Sequence, residues 1–244
     1  MSDQSVTPAP SSSDERPRPE RRTSRRALLA AGGVLLAAGL GGSAYVAWEL
    51  FADPLMDPAE AAKGISDLKD AWEAGTPDPF TPNTVPGTPD PFTPNTVPGT
   101  AIALLRIPDF GADFEVPVVY GTTNAALSKG VGWFESTAKP GEIGNFAVAG
   151  HNGSHGPFGK LPGLAVGARV EVETREALFV YALDNHPADT VVLNSDTWVL
   201  DPVPGQPPTT KPTVARITLI TCAELFHAPD RAVAFGHLVE SRAK

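Results

Sequence analysis

From Ala101 onward the apolar residues come in short runs closed by Gly, Pro, Asn or Asp: AIALLRI, FEVPVVY, NFAVAG, ARVEVET, LFVYAL, TVVL, ARITLIT and AVAFGHLVE. Runs of this length, rich in β-branched and aromatic residues and set off by turn formers, predict strands. About eight of them with few helices read as a mostly all-β domain, an antiparallel β-barrel or sandwich. Single helical turns are expected at 123–128 (TNAALS) and 158–164.

The pattern before Ala101 is different. Residues 27–48 contain no charge over 22 positions, enough at about 1.5 Å per residue to cross a hydrocarbon core of about 30 Å. Arg16, Arg18, Arg21, Arg22, Arg25 and Arg26 precede this stretch, so the positive-inside rule puts the N-terminus in the cytoplasm and the bulk of the chain outside. Ser24 to Leu29 (SRRALL) also resembles a twin-arginine export signal. No A-x-A cleavage site closes the segment, and a permanent single-pass anchor is the expectation.

Residues 1–26 are polar and Arg/Ser/Pro-rich, a composition that cannot bury enough surface to offset the entropy of ordering, and they read as a disordered cytoplasmic tail. Within 49–74, Ala61, Ile65, Leu68 and Trp72 recur at helical spacing, which predicts a short stalk helix. The sequence GTPDPFTPNTVP then occurs twice in tandem, at 75–86 and 87–98. With Pro at a third of its positions the repeat can only be extended, a Pro-rich linker reaching roughly 70 Å. The expected order is tail 1–26, transmembrane anchor 27–48, stalk helix 49–74, linker 75–98 and catalytic domain 99–244.

Charge narrows the choice of partner. The net charge is −9, yet the first 26 residues hold six Arg against four acidic groups. That leaves 13 of the 19 basic and 24 of the 28 acidic side chains to the rest, a net of −11, which argues against nucleic acid. The single cysteine excludes an intrachain disulfide, and a Cys/His zinc site would need further thiols or a His cluster that the spacing of the five histidines does not offer.

The candidate chemistry sits at strand ends. Cys222 follows the run VARITLIT, and the next strand starts near Arg231 after the loop AELFHAPD, so antiparallel pairing places the two at one end of the barrel. His151 ends the run NFAVAG and is followed by the turn residues Asn152 and Gly153, with His155 as a rival four residues on. A nearby cation favours the thiolate of a Cys, an imidazole can return a proton to a leaving amine, and a guanidinium can hold a developing oxyanion. His186, His227 and His237 carry no motif.

The run Thr218-Leu219-Ile220-Thr221-Cys222 resembles the T-L-x-T-C signature of sortases, and Ala149-Gly150-His151 and Arg231 match that family's His and Arg. The similarity covers about 101–240. The segment Val119-Tyr120-Gly121-Thr122-Thr123 and the run from Ser195 to Pro202 look most like class E, the housekeeping type of high-GC Gram-positive bacteria.

The resemblance implies an eight-stranded sortase-like β-barrel with Cys222, His151 and Arg231 as catalytic residues. Tyr120 and Thr221 are the candidate substrate-binding residues, a Tyr at position 120 being associated with preference for an L-A-x-T-G over an L-P-x-T-G sorting signal. Cleavage between Thr and Gly would give a thioacyl enzyme. Implied partners are surface proteins bearing a C-terminal sorting signal, a peptidoglycan-precursor amine or pilin Lys, and the membrane, with no cofactor in the bond chemistry.

Two readings compete. A different cysteine acyltransferase acting on peptidoglycan would resemble an S-H-G-C motif, but Ser154-His155-Gly156 is followed by Pro157. A non-catalytic adhesin or scaffold fits the Pro-rich spacer but leaves the three reactive residues without a purpose.

Overall fold

The strand runs of the second half are long enough to pair and too apolar to face water on both sides, and they close into a barrel. In the computed structural model the described residues are 56–75, 97–153, 156–222 and 230–244. Those from Met56 on belong to one compact unit, Asp53–Lys244. The expected tail, transmembrane anchor and nearly all of the tandem repeat lie outside the described residues. No helix among the described residues is long and apolar enough to cross a membrane.

Nine strands form one sheet: β1 Ala101–Arg106, β2 Val116–Tyr120, β3 Val131–Trp133, β4 Gly144–Ala149, β5 Arg169–Glu173, β6 Ala177–Leu183, β7 Val191–Leu193, β8 Ala215–Cys222 and β9 Asp230–Ala243. Their order is β6-β5-β1-β2-β3-β4-β8-β9, and an additional β6–β9 pairing closes these eight into a ring, while β7 attaches to β9 outside it. Closure removes the exposed sheet edges that an open sheet would present.

The ring differs from expectation in two ways. Its eight strands include β3, hidden in the sequence as the three residues VGW, and exclude β7, the TVVL run. It is also mixed: β2–β3 and β4–β8 are parallel. The short α2, Asn124–Leu127, lies in the connection that makes β2–β3 parallel. The other expected turn is a 3-10 turn at Leu161–Gly163.

Alternation sorts the strands into two faces. Phe146, Val148, Ile217, Leu219, Val170, Val172, Tyr181 and Trp133 point inward and fill the barrel with the main core. On the outer side of β1 and β2 lies α1, Pro58–Glu73, capped by Asp57, whose carboxylate accepts from the N–H groups of Ala59 and Glu60. Ala61 and Leu68 are its buried residues, and Leu68 shares a seam with Ala101, Pro117 and Val119. This explains why β1 and β2 read as almost unbroken apolar runs: both their faces are covered.

The helix is therefore docked and not a free stalk. Asp57 N–H donates to the Ser128 carbonyl at 2.7 Å, and Lys69 pairs with Glu115 at 2.7 Å. Arg106 bridges Glu115 and Glu173, Lys244 pairs with Glu173, and the Lys244 ammonium sits 4.5 Å from the Trp72 ring centroid. Burial pushes the carboxyls of Glu115 and Glu173 up, but hydrogen bonds and charge from Lys69, Arg106 and Lys244 outweigh it and hold both below the ordinary range.

Candidate active site

Register brings the three reactive positions together. β4 and β8 run parallel with Val148 beside Leu219 and Ala149 beside Ile220, and Gly150 N–H continues the ladder by donating to the Ile220 carbonyl at 3.0 Å. Carried two residues past the Ala149–Ile220 pair, beyond the end of β4, the same register sets the His151 position level with Cys222. Across the other flank of β8, Cys222 pairs directly with Arg231. Neighbouring strands lie about 4.8 Å apart, so the His151 and Arg231 backbones flank that of Cys222.

The same alternation fixes the face. Ile217 and Leu219 belong to the inner core, whereas Ile220 belongs to a second buried cluster with Val199 and Val233, flanked by Phe134, Ala149, Val192, Leu200 and Phe235. Positions 222, 151 and 231 each come two residues from Ile220, Ala149 and Val233 respectively, so all three lie on the outer face beside this cluster. The cluster is roofed by the 3-10 turn Thr197–Leu200, whose Trp198 ring lies 5.8 Å from that of Phe235.

Local backbone holds His151. A side chain at Gly150 would meet the Phe158 ring at 2.7 Å, so the strand can exit over fully buried Phe158 only with a glycine there. Phe158 N–H then donates to the His151 carbonyl at 3.1 Å, folding the following loop back onto the strand end. A Cβ at Gly156 would come 2.3 Å from the same carbonyl. The imidazole is half-buried, and burial lowers its pKa below the ordinary 6.5. Arg231 Nη1 donates to the Asp230 carbonyl at 3.1 Å. His155 lies outside the described residues.

Two candidates sit elsewhere. The register chain Tyr120–Trp133–Val148–Leu219 puts Tyr120 on the inner face, three strands from β8 and three residues back from position 222, about 10 Å along the strand direction. Its phenol donates to Glu135 at 2.9 Å and its ring meets Trp133 edge-on at 6.1 Å. Thr221 also points inward: it is 2% exposed, and its hydroxyl has no hydrogen-bond partner among the described residues. The structure does not bring either side chain to the outer face that positions 151, 222 and 231 share. No group of three or more His, Cys, Asp or Glu side chains suited to a metal comes together among the described residues.

The sequence pattern gives Asn145 no role and Thr218 none beyond its place in the T-L-x-T-C run. Both are buried on the outer face, with Asn145 1% and Thr218 0% exposed, and they tie the strand of His151 to the strand of Cys222 and to the roofing turn. A polar residue opening an otherwise apolar strand, NFAVAG, was the available signal.

A family model described as the sortase domain matches residues 105–239, more than half of the chain. The chain belongs to the sortase family. Among similar proteins, the sortase SrtE1 of Streptomyces coelicolor is 32% identical over 210 residues, covering 82% of this chain and 54% of that relative, so the chain spans about half its length. Among solved structures, sortase E1 of Streptomyces coelicolor with a tripeptide in its active site is 35% identical with a TM-score of 0.53, covering 61% of this chain and 93% of that one. The sortase SrtF of Corynebacterium diphtheriae is 29% identical with a TM-score of 0.56, covering 61% and 89%. Sortases are cysteine transpeptidases, and the closed mostly-β barrel found here is consistent with their fold.

Proposed function

We propose that this sortase cleaves a C-terminal L-A-x-T-G or L-P-x-T-G-like sorting signal between Thr and Gly and transfers the protein to an amine of the cell wall. The Cys222 thiolate attacks the Thr carbonyl carbon while Arg231 faces the developing oxyanion. The Thr–Gly C–N bond breaks, the Gly amine leaves with a proton from His151, and a thioacyl enzyme remains. An incoming amine then attacks the thioester, gives its proton to His151 and releases the thiolate. That amine belongs to a peptidoglycan precursor or a pilin Lys, and the barrel works outside the membrane, carried by the anchor at 27–48.

What supports this reading is the direct pairing of Cys222 with Arg231 on one flank of β8 and, on the other, the β4–β8 register that ends at Ala149 and Ile220, two residues before His151 and Cys222. The exposed Trp198 ring over the neighbouring Val199–Ile220–Val233 cluster gives an extended peptide apolar ground beside those positions. Burial disfavours the His151 imidazolium, and the first step needs one proton on the Cys222–His151 pair, which titrates as a coupled unit. The test is to incubate the full chain with a fluorogenic L-A-x-T-G peptide and an acceptor amine. Cys222→Ala should reduce turnover by at least about 10³-fold. Turnover that survives in this variant would overturn the assignment.

A further inference from the structure

The roof over the reactive face hangs on one side chain. Asn145, at the start of β4, donates through Nδ2 to the carbonyls of Val199 at 3.0 Å and of Asp201 at 3.1 Å, so both its amide protons go to the backbone of the 197–201 turn. Its Oδ1 accepts from the Thr218 hydroxyl at 2.7 Å, which fixes the amide orientation from the β8 side. The three contacts are mutually consistent: two donors meet two carbonyls and the acceptor meets a hydroxyl.

The turn depends on this support. Asp201 N–H donates to the Trp198 carbonyl at 3.1 Å, closing the turn on itself, while Val199 is its buried residue and the Trp198 ring leans on Phe235. Apolar contact between Val199, Ile220 and Val233 is not directional and allows the turn to slide. Hydrogen bonds to two carbonyls separated by one residue do not, and a buried carbonyl stripped of its partner carries a large penalty. Thr218 lies four residues before Cys222 on the same face, about 13 Å away along the strand.

We propose that Asn145, locked by Thr218, is a positioning residue that sets the height of the Trp198–Leu200 wall above the β4–β8 face, and through it the fit of the substrate's aliphatic residues without touching the bond that breaks. This rests on the transpeptidase reading, to which it adds a specificity element. It also gives the first threonine of the T-L-I-T-C run a task separate from the cysteine.

The experiment uses the full chain and compares Asn145→Leu, Thr218→Val and Thr218→Ser by three readouts. Amide hydrogen exchange across 197–201 should accelerate about tenfold or more in Asn145→Leu, to a smaller degree in Thr218→Val, and little in Thr218→Ser, which restores the hydroxyl. KM for the L-A-x-T-G peptide should rise about tenfold in Asn145→Leu while kcat falls less than about threefold. The pH profile of iodoacetamide reaction at Cys222, the only thiol, should remain that of the unsubstituted chain.

Unchanged exchange at 197–201 overturns the clamp. Faster exchange with unchanged KM overturns the link to substrate fit, and a shifted alkylation profile means Asn145 acts on the Cys222 and His151 positions and not through the wall. Should Asn145→Leu fail to fold, the Thr218→Val and Thr218→Ser pair decides by the same criteria. A chain without Cys222-dependent cleavage would sink the transpeptidase reading, and exchange would still judge the clamp separately.

Discussion

Among the described residues, two covers on the outer face of this barrel are built by different means. Over β1 and β2 a 16-residue helix lies on apolar residues and is pinned along its length by charged side chains. Over β4, β8 and β9 the cover is a four-residue 3-10 turn held by one buried amide. The helix shields two strands that carry none of the proposed catalytic groups, so solidity is what it contributes. The turn stands beside positions 151, 222 and 231, where a peptide must be admitted, and a short cover with few contacts leaves room for it. One fold thus separates a region built for stability from a region built for access.

That division can be attacked from either side. Arg231→Ala should lower kcat/KM by about 10²–10³-fold with the melting temperature nearly unchanged, and Arg231→Lys should recover only part of the loss, since a point charge replaces a planar fork. A large fall in melting temperature would show that the site side also carries the fold. Leu68→Ala removes a buried side chain from the helix seam and should cost about 2 kcal/mol, seen as a fall of about 4–8 °C in Tm. Its kcat/KM should stay within about twofold, and a larger change would couple the helix to the chemistry. The smallest effect concerns pH. With the His151 pKa lowered by burial, the Cys222–His151 pair takes up its second proton only below pH 6.5, so activity should persist at that pH and be lost as pH falls through the lowered value. A kcat/KM acid limb at or above pH 6.5 would contradict this, and Leu68→Ala should leave the limb in place.

Much of the barrel was legible because apolar runs such as ARITLIT and LFVYAL are buried on at least one face and marked off by turns. The strand VGW was not, since three residues with a central Gly carry no measurable alternation, and TVVL was misplaced in the ring because the length of β9 decides which strand closes it. The juxtaposition of Cys222 with Arg231 followed from a hairpin, a local feature. The face of Tyr120 was not legible for the converse reason: it depends on the parallel β2–β3 pairing, which the intervening α2 connection makes possible and no local pattern announces. Asn145 was passed over because the worth of a buried amide lies in partners 54 to 73 residues away. The anchor, the tail and nearly all of the repeat fall outside the described residues.

Strand β9 has 14 residues; it meets β8 and β7 near Arg231 at one end and seals the ring against β6 from Gly236 to Ala243 at the other. The same strand therefore delivers the arginine through a local hairpin with β8 and seals the barrel through pairing with β6, far away in sequence. A chain whose β8–β9 hairpin has formed before β6 docks already sets Arg231 opposite Cys222, while the ring that carries both is still open.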